Sequence, residues 1–270
     1  MPLIDLHAHT RCSDGTSMPA EVIRAYAAAG VQMMAVTDHD TTLAVQESAQ
    51  RAAAAGILFI PGVEISTREH DYLHILGYGI DIKSQRLNAF LNQNAGSRDI
   101  RVKKIIKKLQ AIGLDIGEED VFKLVKTVPS RAHVADALKK KGLVQSRQEG
   151  FRKYLCEGAV GYVPSMGPGV TQVIAEIKAA GGKAFVAHPG VIKDAWDFPR
   201  WVNDGLDGIE VYYPSHSQTM RQDLLALAKK YKLLISAGTD YHGEKSGRCD
   251  KPGMQVPQEV FDSLKRIFNL

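Results

Sequence analysis

Seven short apolar runs recur along this chain, and six of them carry a histidine, aspartate or glutamate at or near one end. Leu3 to Leu6 leads into His7 and His9, Val31 to Thr37 into Asp38 and His39, and Ile57 to Val63 into Glu64. Tyr72 to Tyr78 contains His74, and Ala184 to Ala187 is followed by His188. Gly208 to Tyr213 adds no metal-competent end, and Leu233 to Ala237 leads into Asp240 and His242. Runs this short, bounded by Gly, Pro and polar residues, read as buried strands. The stretches between them read as helices: Ser17 caps one with Pro19 in its first turn, and Gly30 closes it. Seven strands alternating with helices predict a parallel α/β sheet, closed or nearly closed as a barrel.

The pattern breaks once. From about Ser84 to Glu157 the apolar residues recur at helical spacing, as in Val102, Ile105, Ile106 and Leu109, with no strand signal. The expected organisation is a barrel built from residues 1–82 and 160–270, with a helical insert over 83–159. Charge follows the same division. Between Arg98 and Lys153 there are 15 Lys and Arg against 7 Asp and Glu, whereas the rest of the chain carries 19 against 23. A basic segment beside a mildly acidic body points to an anionic, phosphate-bearing substrate. A solvated helical face is the plainer account of any single lysine there.

The 270 residues, 44% hydrophobic and 24% charged, have the composition of an ordinary globular protein. No apolar run approaches about 18 residues, which argues against a membrane-spanning helix. No basic segment followed by an apolar one marks a secretory signal. Cys12, Cys156 and Cys249 are odd in number and far apart, so they form neither a disulfide framework nor a zinc knuckle. A cytoplasmic location is the expectation, with no obligate protein partner evident.

In an α/β barrel the C-terminal ends of the strands form the rim where active sites are built. On the first strand His7 and His9 point the same way, about 7 Å apart along the chain. Taken alone they are equally a pair of strand-end histidines with no ligand role. Six strands delivering His, Asp or Glu to one rim favour a metal centre. Mixed imidazole and carboxylate donors suit Mn²⁺, Fe²⁺ or Zn²⁺. A carboxylate such as Glu64 can bridge two ions, and two ions together yield a bridging hydroxide at neutral pH and neutralise phosphoryl charge. Metal-assisted hydrolysis is the chemistry implied.

His7-Ala8-His9, Thr37-Asp38-His39-Asp40, Gly62-Val63-Glu64, His74, Ala187-His188-Pro189 and Asp240-Tyr241-His242 resemble, in order and over almost the whole chain, the motifs of the PHP (polymerase and histidinol phosphatase) family. The resemblance implies a distorted (β/α)7 barrel with a helical insert and two or three divalent ions. It implies one metal held by His7, His9, Glu64 and Asp240, and a second by Glu64, His74 and His188. A third falls to His39 and His242, with Asp14 where many members have a histidine. Asp5 and Asp38 are placed to hydrogen-bond the ligating imidazoles from behind.

Related phosphoesterases have blocks similar to Ser130-Arg131-Ala132-His133 and Phe151-Arg152-Lys153-Tyr154-Leu155. Arg131 and His133 are therefore expected to face the metals, with arginine offering a bidentate grip on phosphate and His133 or a metal-bound water protonating the leaving oxygen. Arg152 and Lys153 are candidate substrate contacts that a solvated face explains equally well. His216 lies on the rim side as a further candidate, or is a surface histidine. The expected activity is hydrolysis of a phosphate monoester on a small nucleotide such as a nucleoside 3′,5′-bisphosphate, with hydroxide as nucleophile. The alternatives are 5′-3′ exonucleolytic trimming of short RNA or DNA, hydrolysis of a carbon–nitrogen bond, and a metal-free nucleic-acid-binding module.

Overall fold

The computed structural model describes residues 1–246, 249 and 251–270. Its strands are β1 (Leu3–Asp5), β2 (Met33–Val36), β3 (Leu58–Ser66), β4 (His74–Tyr78), β5 (Lys183–Val186), β6 (Gly208–Tyr212), β7 (Leu234–Ala237) and β8 (Met254–Gln255). They form one sheet in the order β7-β6-β5-β4-β3-β2-β1-β8. The helices are α1 (Pro19–Ala29), α2 (Val45–Ala54), α3 (Gln85–Ala111), α4 (Glu118–Phe122), α5 (Arg131–Lys140), α6 (Arg147–Gly150), α7 (Val170–Ala179), α8 (Phe198–Asn203), α9 (Gln218–Tyr231) and α10 (Gln258–Phe268).

Every expected strand is present, and the sheet curls into a nearly closed barrel. Beyond the strands, Leu6 donates its N–H to the Ala237 carbonyl at 2.8 Å, and His9 donates to the Tyr241 carbonyl at 2.8 Å. Ala8 and Tyr241 form an isolated parallel bridge, so the chain after β1 meets the chain after β7.

Two expectations need correction. The sheet is mixed, not parallel: β4 runs antiparallel to both β3 and β5. Residues 67–73 between β3 and β4 are too few for the crossover that parallel pairing needs, so a hairpin results. His74 consequently opens β4 instead of ending it, yet lies on the rim where the parallel strands finish. The eighth strand, β8, pairs antiparallel with β1 through only two residues and has too little periodicity to be read in sequence.

Local signals account for most helix ends. Gly30 closes α1 at φ 77°, where a side chain would be strained. The start of α1 lies one residue beyond Ser17: Met18 occupies the cap position and its N–H is held by the Glu21 carboxylate at 2.7 Å. α3 is 27 residues long, about 40 Å at 1.5 Å per residue, and Ser84 caps it.

The apolar side chains form several clusters. Ile4, Met33, Ile60, Tyr78 and Phe185 meet Val260 and Leu264 of α10, which seals the end of the barrel opposite the rim. A separate cluster gathers Val102, Ile105, Ile106 and Leu109 of α3 with Val121, Val134, Leu138, Leu155 and Val163. The helical stretch thus buries apolar surface largely against itself, and α3 joins it to the barrel by placing Leu87, Phe90 and Leu91 in the cluster of Ile75 and Val173.

Candidate metal centre

The rim brings together a buried cluster centred on Glu64, which is 1% exposed. Its Oε2 lies 3.3 Å from His7 Nε2, 3.1 Å from His9 Nε2 and 3.1 Å from His39 Nδ1. Its Oε1 faces the other way, 2.8 Å from His74 Nδ1 and 3.3 Å from His188 Nε2. Asp240 Oδ1 adds contacts of 3.5 Å to His7 Nε2 and 3.2 Å to His9 Nε2. Asp14 Oδ1 sits 3.2 Å from His242 Nε2 and 3.9 Å from His39 Nε2.

Three groups of donors have ligand atoms all within 4.8 Å of one another: His7, His9, Glu64 and Asp240; His39, Glu64 and His74; and His9, Asp14, His39 and His242. The first is the set the resemblance implied. The second takes His39 where His188 was expected, while His188 Nε2 stands beside that group, 3.3 Å from Glu64 Oε1. In the third, His9 joins Asp14, His39 and His242.

Several imidazoles are turned by a bond on the nitrogen away from the cluster. His7 Nδ1 is 3.2 Å from Glu210 Oε1, and His242 Nδ1 donates to the Asp240 carbonyl at 2.7 Å. His9 Nδ1 lies 3.4 Å from Ser13 Oγ, whose own hydroxyl donates to Asp38 at 2.6 Å. In each case the other nitrogen faces inward, where it can offer a lone pair to a cation in exchange for its proton.

Those inward atoms test whether cations fit. His7 Nε2, His9 Nε2, His39 Nδ1, Glu64 Oε2 and Asp14 Oδ1 are buried without a hydrogen-bond partner, although they face one another. Buried polar atoms are otherwise almost always paired, so five converging orphans are the donor set that divalent ions would satisfy.

Protonation follows the same logic. Burial pushes His9 down, but the facing carboxylates of Asp240 and Glu64 outweigh it and raise the imidazole to about 9. His7 is likewise opposed by burial and still raised well above its usual value by Glu64, Glu210 and Asp240. Burial would raise the carboxylates, yet His39, His7 and His74 hold Glu64 well below the usual range, and His242 and His39 do so for Asp14. Burial wins at His39 and His74, which are lowered. In this chain protons balance the carboxylate charge that metal ions would balance.

Asp5 and Asp38 act differently from expectation. Asp5 accepts from the backbone of His7 (3.3 Å), Thr239 (2.9 Å) and Gly253 (2.9 Å) and from the Thr239 hydroxyl (2.5 Å). It ties the loop after β7 to β1 and bonds no imidazole. Asp38 holds the Thr10 amide and hydroxyl and reaches His9 only through Ser13.

Beside the centre opens a cavity of about 400 Å³, lined by Asp14, His39 and His74 and by Arg98, Arg101, Arg131, Arg147 and Arg152. Arg131 Nη1 bonds Asp71 at 2.8 Å, and its guanidinium lies over the rings of Tyr72 (5.4 Å) and Phe151 (5.6 Å). Arg101 shares Asp71 at 2.7 Å.

The remaining candidates are placed elsewhere. His133 is buried outside the cavity lining, and its Nδ1 accepts the Ser130 N–H at 3.1 Å, capping α5. Burial lowers its pKa, so it is neutral near pH 7. Lys153 is absent from the cavity wall and pairs with Glu149 at 2.5 Å. His216 is buried, donates Nδ1–H to the Val211 carbonyl at 2.9 Å and accepts the Gly190 N–H at 3.1 Å. With both nitrogens engaged by backbone it pins the turn after His188 and is not a surface group.

Sequence reasoning passed over Glu210, Asp71, Arg98 and Arg101. For Glu210 the signal was a lone acidic residue inside the apolar run Gly208 to Tyr213.

Fold and centre together define a metal-dependent hydrolase of phosphoric esters. The PHP domain model matches residues 5–156, and the chain belongs to the PHP domain family. It is 34% identical to a 5′-3′ exoribonuclease of Haemophilus influenzae over 88% of this chain and 89% of that one. It is also 34% identical to a 3′,5′-nucleoside bisphosphate phosphatase of Chromobacterium violaceum over 93% and 90%. Among solved structures, an amidohydrolase from Chromobacterium violaceum with bound sulfate and no metal superposes with a TM-score of 0.86 at 33% identity, covering 97% of this chain and 96% of that one.

Proposed function

We propose that this chain removes a phosphate from a small nucleotide-like monoester, a nucleoside 3′,5′-bisphosphate being the leading case. The observation that carries this reading is the single cavity wall shared by the donor cluster and five arginines. Its volume falls within the range of about 300–1,000 Å³ typical of small-ligand sites.

One ion would be held by His7, His9, Glu64 and Asp240, a second by Glu64 and His74 with His188 alongside, and a third by Asp14, His39 and His242, so that each imidazole serves one ion and only Glu64 is shared. Mn²⁺, Fe²⁺ and Zn²⁺ all suit these donors. Bound ions would supply Lewis-acid charge and a nucleophile from water at neutral pH.

The chain's own groups do the rest. Glu64, gripped from both sides by imidazoles, keeps the donor groups in register. Arg131 is immobilised by Asp71 and two aromatic rings; its remaining guanidinium edge orients the phosphate, with Arg98, Arg101 and Arg152 adding positive charge. Tyr72 and Phe151 offer flat apolar surface for a base. The helical residues 83–159 serve as a substrate-binding cap over the barrel of 1–82 and 160–270.

A second reading, exonucleolytic release of mononucleotides from a 5′ end, is favoured by the exposed lysines of α3 beyond the cavity, among them Lys104 and Lys107. A short oligonucleotide lying along them would still present its terminal phosphate to the same arginines. No helix among the described residues is long and apolar enough to cross a membrane, and we take the working location to be the cytoplasm.

The test is direct. Protein loaded with Mn²⁺ is incubated with adenosine 3′,5′-bisphosphate and, separately, with a 5′-phosphorylated RNA of a few nucleotides. Inorganic phosphate from the first supports the proposal. Mononucleotides from the second without phosphate from the first moves the assignment to the exonuclease, and neither product defeats both.

A further inference from the structure

β6 is apolar except for Glu210, whose side chain is fully buried. A carboxylate in such a place is costly unless its oxygens are occupied. Here they are occupied by two parts of the metal centre. His7 Nδ1 lies 3.2 Å from Oε1 and 3.3 Å from Oε2. The backbone N–H of His188 donates to Oε2 at 2.8 Å.

His7 belongs to the donor group completed by His9, Glu64 and Asp240. His188 faces the opposite oxygen of Glu64 and sits at φ 31°, a left-handed backbone that a non-glycine residue adopts only when it is held. The chain also leaves room for the contact. A Cβ on Gly238 would lie 2.6 Å from Glu210 Oε1 and 2.3 Å from His7 Cβ.

We propose that Glu210 is a positioning residue that fixes both sides of the metal centre with one carboxylate. By accepting from His7 Nδ1–H it sets the tautomer that leaves the Nε2 lone pair facing Glu64 and Asp240. By accepting the His188 N–H it holds the strained turn that brings His188 to Glu64. Glu210 touches neither ion nor substrate, and its effect is on how tightly the donors hold metal. The inference rests on the reading of the cluster as a metal centre.

A glutamine at 210 keeps the shape but removes the charge, and its amide leaves one oxygen for both donors while setting an N–H against one of them, His7 Nδ1–H if the oxygen stays in the Oε2 place. Glu210→Gln is therefore expected to weaken binding of the tightest Mn²⁺ ion on the order of 10- to 100-fold, measured by titration of metal-stripped protein with free Mn²⁺ read by electron paramagnetic resonance. In Zn²⁺-loaded protein the nitrogen-15 spectrum should lose the His7 Nδ1–H signal, a change that mere loosening of β6 would not produce. Should the glutamine variant not fold, Glu210→Asp carries the same two readouts, with the shorter side chain releasing one donor and weakening Mn²⁺ to a lesser degree.

Wild-type protein that binds Mn²⁺ beside a folded variant that binds equally, with the His7 signal intact, overturns the role given to Glu210. Wild-type protein that binds no divalent ion overturns the metal centre itself, so the two failures are told apart by the wild-type titration.

Discussion

The contact between α3 and the turn that carries His39 can be broken by a single substitution. Arg98 places Nε 2.5 Å from Asp40 Oδ2 and Nη2 2.5 Å from Ser66 Oγ, while Asn94 Nδ2 bonds Asp40 Oδ1 at 2.9 Å. The side chains of Arg98 and Asp40 are 15% and 1% exposed. Arg98→Met keeps the bulk of the stem and removes the guanidinium, leaving a buried carboxylate with Asn94 as its remaining side-chain partner. Stranding one member of a buried ion pair costs about 3–5 kcal/mol. The surviving Asn94 bond and the partial exposure of Arg98 put the expected loss near the lower figure, about 3 kcal/mol. A chain of 270 residues at about 2.1 cal/mol/K per residue has an unfolding entropy of about 0.57 kcal/mol/K, so Tm should fall by about 5 °C. Differential scanning calorimetry of the metal-free protein reads this directly. Adding Asp40→Asn removes the stranded charge and should recover part of the loss, giving a coupling of about 1–3 kcal/mol in the double-mutant cycle. Because Asp40 is held at φ 51° next to His39, the single variant should also bind less metal. A Tm within about 1 °C of wild type, or strict additivity in the cycle, would refute the reasoning.

Further outcomes follow from other contacts. His9 is raised from 6.5 to about 9 in the folded chain, so its stabilising contribution is complete below pH 6.5 and is lost as pH rises through about 9. Metal-stripped protein should therefore lose Tm between those values while Mn²⁺ affinity climbs as protons leave; a flat Tm would count against it. His216→Phe strands the Gly190 N–H and the Val211 carbonyl; it should cost about 2–4 kcal/mol in chemical denaturation yet leave KM within about twofold. Arg131→Ala should raise KM for the phosphorylated substrate on the order of tenfold or more, whereas Lys153→Ala, paired outside the cavity, should leave KM unchanged; equal effects would contradict the placement of both.

Much of this was legible because strand ends and ligand positions coincide in a barrel. The apolar runs located all seven longer strands, and the residues following them supplied nearly the whole donor cluster. Strand direction was not legible: alternating apolar runs look alike whichever way they point, and only the short link over residues 67–73 distinguishes β4 from a parallel neighbour. Partners of side chains were harder still. Nothing local tells that the Asp5 carboxylate reaches Thr239 across 234 residues of sequence, or that both nitrogens of His216 are engaged by backbone. The basic bias of the helical stretch was visible as charge. That five arginines of that stretch line a wall beside the centre depends on how α3, α5, α6 and the turn after it pack, which periodicity does not encode.

The junction of the chain after β1 with the chain after β7 has a bearing on how the protein is made. His7 and His9 are synthesised more than 200 residues before Asp240, His242 and the Tyr241 carbonyl that anchors His9. Contacts so distant in sequence form late. Until those late residues arrive, the early histidines stand with Asp14 and Glu64 but without Asp240 and His242, as an incomplete set of ligands. Such a set favours Cu²⁺ and Zn²⁺ over Mn²⁺ or Fe²⁺ by intrinsic affinity. The geometry of the closed barrel can act against that intrinsic order only once Asp240 and His242 are in place, so ion selection and completion of the fold belong to the same late step.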